Sequence, residues 1–582
     1  MNRGKAMFRV LFLSLLLGLA LVQGCASVEP IAGTQTAQLS PASAAIVGSV
    51  CTQDNRAVKD YFGLIDKVKE ERPDLVEALT KFPKGADLHN HLSGAVMPEE
   101  YIDLGGTNGD CFGPLGAAMY TVEKAIAPDV CASGFKPLVK ASAEERQQLL
   151  RSLSMYRFND NGATSIQAGH DQFFATFGRF GAISGSSNNM GPMLAKLLQQ
   201  ENGEGVSYLE TMISFQLEAV SRLADLLRQK YPDAAKYTQS SNYAAMFDYL
   251  LSAGLKEAVV AAQKDIAAYV KSVKAELKCD TANQDPACEV PFDFQAAVNR
   301  NSALKEGGGA DLPQIFTQTA MSCLLADTER RVVGVNLVSG EDRPVSMQSF
   351  TTQMQFFSYF HNRFPRVNIA LHGGEITPCF VGAGNPALKE HITGPIQAGA
   401  KRVGHAVSFT YLSDADKSAV ATLMKQNKTL VEILFTSNAQ ILGVAGEEHP
   451  FVQYFRKYGV PAAFSTDDEG VSYANFTGEW IYGVSQYHLT FAELVQLART
   501  SLQYSFLPGD PLWQDVVSAK VVSQCEGETL GNTHPGEPCK TFIEKSAKAW
   551  TQWRYEEKLS RFDKEYGATL RKYLSNERGG QL

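Results

Sequence analysis

The chain has 582 residues, with 54 Lys or Arg against 62 Asp or Glu, so its formal net charge is −8. A net negative chain without a basic run is a poor candidate for nucleic-acid binding, and we expect no nucleic-acid partner. Apolar residues make up 44% and charged residues 20%, which is ordinary for a globular protein. The length suits one large domain with additions.

Residues 1–24 have the pattern of a signal peptide. Three basic residues precede an apolar run over residues 10–22, which is too short to span a bilayer comfortably. The run leads into Val-Gln-Gly-Cys, which resembles a bacterial lipobox and predicts lipidation of Cys25. An ordinary secretory signal cleaved nearby is the alternative, and both interpretations predict export. In a Gram-negative source, Ala26 favours the outer membrane, with residues 25–52 as a lipidated flexible tether.

The ten cysteines of an exported chain predict disulfides rather than metal binding, since no CxxC pair occurs. Three pairs are close in sequence: Cys111 with Cys131, Cys279 with Cys288, and Cys525 with Cys539. No partner is assigned to Cys51, Cys323 or Cys379. With Cys25 lipidated, nine cysteines remain, so at least one is unpaired or bonds to another chain.

Helical periodicity and short apolar runs alternate along the first half of the chain. Residues 53–82 are expected to form a helical N-terminal extension, followed by a short strand at 85–91. Residues 105–140 are rich in Gly and Pro and are expected to form a loop-like insertion after this strand. Further helical patterns cover residues 144–156, 190–200 and 219–274, a strand candidate lies at 205–210, and residues 501–582 are expected to form a C-terminal helical extension.

From residue 331 onward, β-type runs recur at regular spacing. They cover residues 331–338, 367–372, 402–407, 429–434 and 461–466, with helical stretches such as 350–364 and 414–425 between them. The steps from His372 to His405, then to Ser437, then to Asp467 are 33, 32 and 30 residues, the length of one βα unit. Buried strands alternating with helices predict a parallel sheet covered on both sides. Polar residues at the strand ends favour an α/β fold, a (β/α)8 TIM-type barrel over residues 83–500.

Four of these strand-end residues have the chemistry of metal ligands. His89 and His91 are two positions apart in a strand, so both imidazoles can face one ion. His372 and Asp467 end later strands and can complete the site. Three imidazoles and one carboxylate suit zinc and leave a position open for water. The sequence therefore predicts a zinc site at one end of the barrel.

Three further residues have side chains suited to acid–base work. Glu375 follows His372 across two glycines, and a carboxyl group beside a metal and out of water can hold a proton at neutral pH. His405 ends a strand and can act as a general base. Asp468 points away from Asp467 if the strand continues, and it can accept a hydrogen bond from water or substrate.

Five motifs in chain order resemble those of adenosine deaminases. They are His89-Asn90-His91-Leu92-Ser93-Gly94-Ala95, His372-Gly373-Gly374-Glu375, Val403-Gly404-His405, Thr436-Ser437-Asn438 and Ser465-Thr466-Asp467-Asp468. The resemblance implies hydrolytic deamination of adenosine, and of 2′-deoxyadenosine, to inosine and ammonia. It also implies one Zn²⁺ per chain, bound by His89, His91, His372 and Asp467.

The resemblance implies a role for each remaining candidate. Glu375 would protonate the purine N1, His405 would position and deprotonate the attacking water, and Asp468 would contact N7. Ser93 stands where small cytosolic members have Asp at a ribose contact, and the glycine that contacts N3 aligns with Ser339 or Gly340. The Phe-rich segment 171–180 resembles the helix that covers the substrate. The sequence of residues 82–85 and the insertion look like the secreted, growth-factor-type branch.

Two alternatives stay open. The same chemistry could act on another purine or amine, or the chain could be a non-catalytic solute-binding lipoprotein. Residues 335–339 contain no Lys that could bridge two metals, and the cytidine-type zinc signature is absent. We expect a small purine nucleoside as ligand and membrane attachment only through the N-terminal lipid. Homodimer formation is left open.

Overall fold

The computed structural model describes residues 55–116, 119–128, 130–158, 165–304 and 307–576. The predicted signal peptide, Cys25, the predicted tether and Cys51 lie outside these residues. In the described part of the chain, no helix combines the length and the apolarity needed to cross a membrane.

Eight parallel strands form the centre of the molecule. They are β1 (Gly85–His91), β2 (Val206–Ile213), β3 (Phe292–Asn299), β4 (Val332–Val338), β5 (Asn368–Gly373), β6 (Arg402–His405), β7 (Leu430–Ile433) and β8 (Ala462–Phe464). They are neighbours in chain order. At the closing edge the Asp467 N–H donates to the His89 carbonyl at 2.8 Å, and the His91 N–H donates to the Asp467 carbonyl at 3.3 Å. The prediction of a (β/α)8 barrel is confirmed.

Helices surround the strands and extend the barrel at both ends of the chain. Before β2 they are Arg56–Glu71, Pro73–Lys81, Leu92–Ala95, Pro98–Thr107, Ala143–Leu153, Ile166–Ser184 and Met190–Gly203. Between β2 and β6 they are Leu217–Lys230, Tyr243–Ser252, Leu255–Glu276, Leu312–Thr328, Pro344–Arg363, Pro378–Val381 and Ala387–Gln397. After β6 they are Asp414–Asn427, Phe435–Leu442, Glu469–Ser472, Phe476–Tyr487, Phe491–Tyr504, Glu537–Lys545, Ala547–Glu565 and Gly567–Asn576.

The predicted helical stretch 219–274 is wrong as one unit, because the structure divides it into three helices. The first ends before Tyr231-Pro232, where proline disfavours helical backbone in the preceding residue. The last two are separated by Gly254, whose φ of 113° is open to glycine but not to other residues. Local breakers therefore override a nearly continuous helical pattern.

The expectation of a loop-like insertion at residues 105–140 is also wrong in part. The segment contains three antiparallel strands, Cys111–Leu115, Met119–Glu123 and Lys136–Pro137. Phe112 and Val122 face each other across the first two strands and are buried. Few residues of this small sheet are buried, so the sequence has no clear apolar alternation here. The Gly and Pro residues make the segment resemble a loop.

All three predicted disulfides are confirmed. They join Cys111 to Cys131, Cys279 to Cys288 and Cys525 to Cys539. Cys379 is also disulfide-bonded, and Cys323 is a free, buried thiol.

The C-terminal extension packs directly on the barrel. The Phe562 ring from helix Ala547–Glu565 lies 5.3 Å from the Phe82 ring at the start of the barrel. Arg499 and Glu556 form a largely buried ion pair at 2.7 Å between this helix and the barrel helix Phe491–Tyr504. The extension also contains a two-stranded hairpin, Trp513–Asp515 with Lys520–Val521, which the sequence does not predict.

Candidate active site

Four side chains with metal-ligating atoms converge at the C-terminal end of the barrel. They are His89, His91, His372 and Asp467, and their ligand atoms all lie within 4.8 Å of one another. The Nε2 atom of His372 is 3.0 Å from that of His89 and 3.1 Å from that of His91. Asp467 Oδ1 is 3.2 Å from His91 Nε2. The two histidines from β1 face the same way because they are two positions apart in a strand.

The hydrogen bonds behind the cluster leave the Nε2 atoms of His89 and His372 available to bind a cation. His89 Nδ1 lies 2.6 Å from the Glu432 carboxylate, and His372 Nδ1 lies 3.0 Å from the Asn336 amide oxygen. Both partners are acceptors, so each Nδ1 carries the proton and each Nε2 carries a lone pair. Two lone pairs facing each other at 3.0 Å repel, and a bound metal removes the repulsion. The donor set and its outer partners therefore fit zinc.

Glu432 is held as an anion below the cluster. Burial opposes ionisation of its carboxyl group, but the Arg402 guanidinium and His89 outweigh burial and lower its pKa. Arg402 Nε lies 2.7 Å from Glu432, and Arg402 Nη2 lies 2.6 Å from Glu210. All these side chains are fully buried. This charged layer fixes the orientation of the His89 ring.

Glu375 reaches the same end of the barrel from the turn after β5. The turn depends on Gly374, which has a φ of 75° and whose Cβ, if present, would lie 2.7 Å from Ser408 Oγ. The backbone N–H of Glu375 donates to Glu341 at 2.6 Å, which fixes the turn. Burial, the Asp467 carboxylate and Glu341 raise the pKa of Glu375 well above its ordinary value. Burial and the neighbouring carboxylates therefore favour the protonated form of Glu375.

His405 lies between Glu375 and Asp467. Its Nε2 is 3.8 Å from a carboxylate oxygen of each. Its Nδ1 lies 3.0 Å from the Asn438 amide oxygen, so Nδ1 carries the proton and Nε2 is the basic nitrogen. Nε2 is buried and has no hydrogen-bond partner among the described residues. Burial lowers the pKa of His405, which favours the neutral form of the ring.

Asp467 and Asp468 follow β8 and point in different directions. Asp467 has a φ of 61°, and its Oδ2 accepts a hydrogen bond from Ser437 at 2.6 Å. A non-glycine residue in this backbone region costs energy and is often found at active sites. Asp468 Oδ1 is buried and, within the described residues, makes no hydrogen bond. A Cβ on Gly94 would lie 1.6 Å from this oxygen, so glycine is required there.

A cavity of about 600 Å³ opens over these groups. Its walls include His91, Ser93, Ser339, Gly340, His372, Glu375, Asp467 and Asp468. Phe173, Phe174 and Phe177 of helix Ile166–Ser184 also line it, within the segment predicted to cover the substrate. No described residue of the insertion at 105–140 lines the cavity, because this helix lies between the two: Thr121 of the insertion bonds to its Arg179. Of the sequence-predicted site residues in the described part of the chain, all except His89 and His405 line the cavity.

Sequence reasoning missed the residues behind this wall. Glu432 and Asn336 lie inside the barrel on β7 and β4, where polar residues in otherwise apolar runs are the only signal. Asn438 belongs to the Thr436-Ser437-Asn438 motif, whose spacing does not indicate a role. Arg300 and Glu341 form a buried ion pair at 3.2 Å, and Arg300 also donates to the His372 carbonyl at 2.8 Å.

A comparison with known protein families finds a match in the second half of the barrel. The family model described as adenosine deaminase matches residues 314–515. That segment contains His372, Glu375, His405, Asp467 and Asp468, and it does not include the two histidines of β1.

Curated adenosine deaminases are similar over part of the chain. The enzyme from Enterococcus faecalis is 30% identical over 134 residues, which is 23% of this chain and 38% of that protein. The enzyme from Serratia proteamaculans is 32% identical over 154 residues, 26% of this chain and 42% of that protein. The matched part of the chain thus spans about two fifths of the length of these relatives.

Among solved structures, Arabidopsis ADAL complexed with IMP is similar at 16% identity. The match covers 73% of this chain and 92% of that one, with a TM-score of 0.45. The comparisons thus show that residues 314–515 of this chain are similar to the adenosine deaminase family.

Proposed function

We propose that the chain is a zinc-dependent hydrolase that deaminates adenosine and 2′-deoxyadenosine to inosine or deoxyinosine and ammonia. One observation carries the proposal: four metal-ligating atoms within 4.8 Å share a barrel end with a buried acid, Glu375, and a neutral imidazole, His405. A zinc ion held by this ligand set supplies the Lewis acidity that makes water a nucleophile near neutral pH.

His405 acts as the general base. Its Nε2 faces Asp467 and Glu375 at 3.8 Å and is the unprotonated nitrogen, because Nδ1 donates to Asn438. In this tautomer the ring takes a proton from a water molecule that attacks C6 of the purine. Asn438 is in turn held at 2.8 Å by His449, so the tautomer is fixed by buried groups.

Glu375 acts as the general acid. Its raised pKa favours a proton on the carboxyl group, and this proton can be donated to N1 of the ring. Protonation of N1 makes C6 more electrophilic at the moment when water attacks. The bond between Glu375 N–H and Glu341 holds the backbone of this residue in place during the transfer.

Asp468 and the cavity wall orient the substrate. The Asp468 carboxyl group contacts N7 in this proposal, and its Oδ1 has no competing partner in the described chain. Ser93 and the Ser339–Gly340 turn line the same cavity and are assigned to the sugar and to the N3 edge. The cavity volume of about 600 Å³ is typical of small-molecule sites.

The reaction balances without a further reactant. The C6–O bond forms from water, and the C6–N bond breaks after the tetrahedral adduct has formed. His405 transfers one proton of the water to the amine, and the protonated amine departs as ammonia. The other returns to Glu375, which has given its own proton to N1.

The test is ammonia release by the purified full chain with adenosine, 2′-deoxyadenosine, adenine and AMP. Adenosine and deoxyadenosine should give the highest kcat/KM, since the proposal assigns cavity contacts to the sugar as well as to the ring. A clear preference for adenine or AMP would replace the nucleoside with another 6-aminopurine. Absence of ammonia with all four compounds would favour a non-catalytic ligand-binding role.

Export and lipid anchoring are part of the proposal, and so is membership of the secreted, growth-factor-type branch. The lipobox-like sequence before Cys25, the three disulfides and the sequence of residues 82–85 support them. We expect Cys25→Ser to abolish labelling by a fatty-acid probe and to release the protein from the outer membrane fraction of a Gram-negative host. Unchanged labelling would refute lipidation at this cysteine.

A further inference from the structure

The turn after β4 has a strained backbone where it lines the cavity. Ser339 has a φ of 87°, in the left-handed region that favours glycine. Ser339 and Gly340 both line the cavity, on the wall that the proposed function assigns to the N3 edge of the purine. A serine in this conformation persists only where surrounding groups hold it.

Asn301 is the residue that holds this turn. Its Nδ2 donates to Ser339 Oγ at 3.1 Å and to the Gly340 carbonyl at 2.7 Å. One amide group thus bonds to both residues of the turn. Asn301 also lines the cavity itself.

Asn301 is fixed by its own neighbours. Its backbone N–H donates to Asn299 at 2.9 Å, and the preceding Arg300 N–H donates to the Val338 carbonyl at 3.1 Å. Gln353 from helix Pro344–Arg363 donates to the Arg300 carbonyl at 3.0 Å. The side chain of Asn301 therefore extends from a backbone that is tied to the strand and helix on either side of the turn.

We propose that Asn301 is a positioning residue for substrate binding, which acts by holding the Ser339–Gly340 turn in its binding shape. The inference rests on the proposed function for its effect on KM. The two hydrogen bonds from Asn301 to the turn are a property of the fold and do not depend on the substrate.

Replacing Asn301 with alanine removes both bonds. We expect KM for adenosine to rise roughly tenfold, with kcat reduced less than about threefold, because two hydrogen bonds are lost at the binding wall. The metal ligands, Glu375 and His405 do not contact this amide. A rise in KM with a nearly constant kcat therefore separates positioning of the substrate from damage to the chemistry.

A second variant tests whether KM depends on Asn301 because this residue holds the strained turn at Ser339. Ser339→Gly permits the same φ without strain and removes the hydroxyl that Asn301 binds. In the Ser339→Gly background, Asn301→Ala should raise KM only about threefold, so the two substitutions are not additive. Asn301→Ser retains a short donor and should give an intermediate KM, which keeps the test valid if Asn301→Ala folds poorly.

The matched control is Asn368→Ala. Asn368 Nδ2 donates to the Val333 carbonyl at 3.0 Å, so this amide also joins two neighbouring strands, but at the start of the strands and away from the cavity. We expect its KM to equal that of the wild type. Thermal unfolding of the four proteins of the cycle gives a readout without substrate: Asn301→Ala should lower Tm more in the Ser339 background than in the Ser339→Gly background.

The outcomes separate the two proposals. A wild type that does not deaminate adenosine refutes the proposed function. The Tm values of the four proteins then test by themselves whether Asn301 holds the Ser339–Gly340 turn. If the wild type is active, three results would overturn the inference. They are an unchanged KM in Asn301→Ala, a fall in kcat as large as the rise in KM, and additive effects of Asn301→Ala and Ser339→Gly.

Discussion

Replacing Glu375 with glutamine is expected to reduce kcat for adenosine by about 10²- to 10⁴-fold, the contribution typical of general acid catalysis. The amide is nearly isosteric with the carboxyl group and its backbone N–H can still bond to Glu341, but it has no acidic proton for N1. The raised pKa of Glu375 supports this prediction, because it favours the protonated form of the carboxyl group. Initial rates with saturating adenosine measure the effect.

Metal content separates this loss from structural damage. Glu375 is not among the four clustered ligand residues, so Glu375→Gln should bind as much zinc as the wild type. Glu390→Gln is a matched control, because Glu390 is an exposed glutamate on the nearby helix Ala387–Gln397. Wild-type turnover by Glu375→Gln would show that another group protonates the ring.

His89→Ala and Asp467→Ala are expected to lose both bound zinc and activity. Each substitution removes one of four ligands, and loss even of a ligand's outer partner typically costs 10- to 100-fold in metal affinity or activity, so the direct loss should be at least about 100-fold. The wild type should contain about one zinc per chain, because the three histidines and one aspartate form one ligand set. Elemental analysis of dialysed protein measures zinc independently of catalysis.

The layer below the ligands gives a graded comparison. Glu432→Gln should weaken zinc binding less than His89→Ala does, because the amide can still accept from His89 Nδ1 but no longer carries a charge. His534→Ala is the control for loss of an imidazole, since His534 is exposed and lies in the C-terminal extension. Two tightly bound metals per chain, or full zinc content in Asp467→Ala, would contradict the single-metal site.

The second half of the barrel could be predicted from the sequence in detail. A repeat of about 30 residues places His372, His405 and Asp467 in the same phase of successive βα units. The carboxyl ends of parallel strands meet at one edge of a barrel, so equal phase implies proximity. The 4.8 Å grouping of the metal-ligating atoms follows from this rule and from the alternation of side chains in β1.

The supporting residues could not be predicted because their role depends on partners distant in sequence. Glu432 is surrounded by apolar residues in β7, and nothing local shows that it bonds to His89, 343 positions earlier. The same holds for Asn336 on β4, which bonds to His372 on the neighbouring strand β5. Side-chain spacing shows which groups share an edge of the sheet, and it leaves the pairing inside the barrel undetermined.

The absence of β3 from the sequence prediction has a physical reason. Asp293 and Gln295 interrupt its apolar run, so the segment resembles neither a buried strand nor an amphipathic helix. In the structure both are buried and hydrogen-bonded: Asp293 accepts from Tyr208 at 3.0 Å, and Gln295 donates to the Leu88 carbonyl at 2.8 Å. Arg300 and Asn301 follow this strand, and their contacts with the site were missed with it.

The central claim is tested most directly by the reaction of adenosine with the zinc-loaded full chain in ¹⁸O-labelled water. Our account predicts one ammonia per inosine, with a single ¹⁸O atom at C6 of the product measured by mass spectrometry. The label must enter because the oxygen comes from water activated beside His405. Failure to form inosine, or inosine without the label, would contradict hydrolytic deamination at this site.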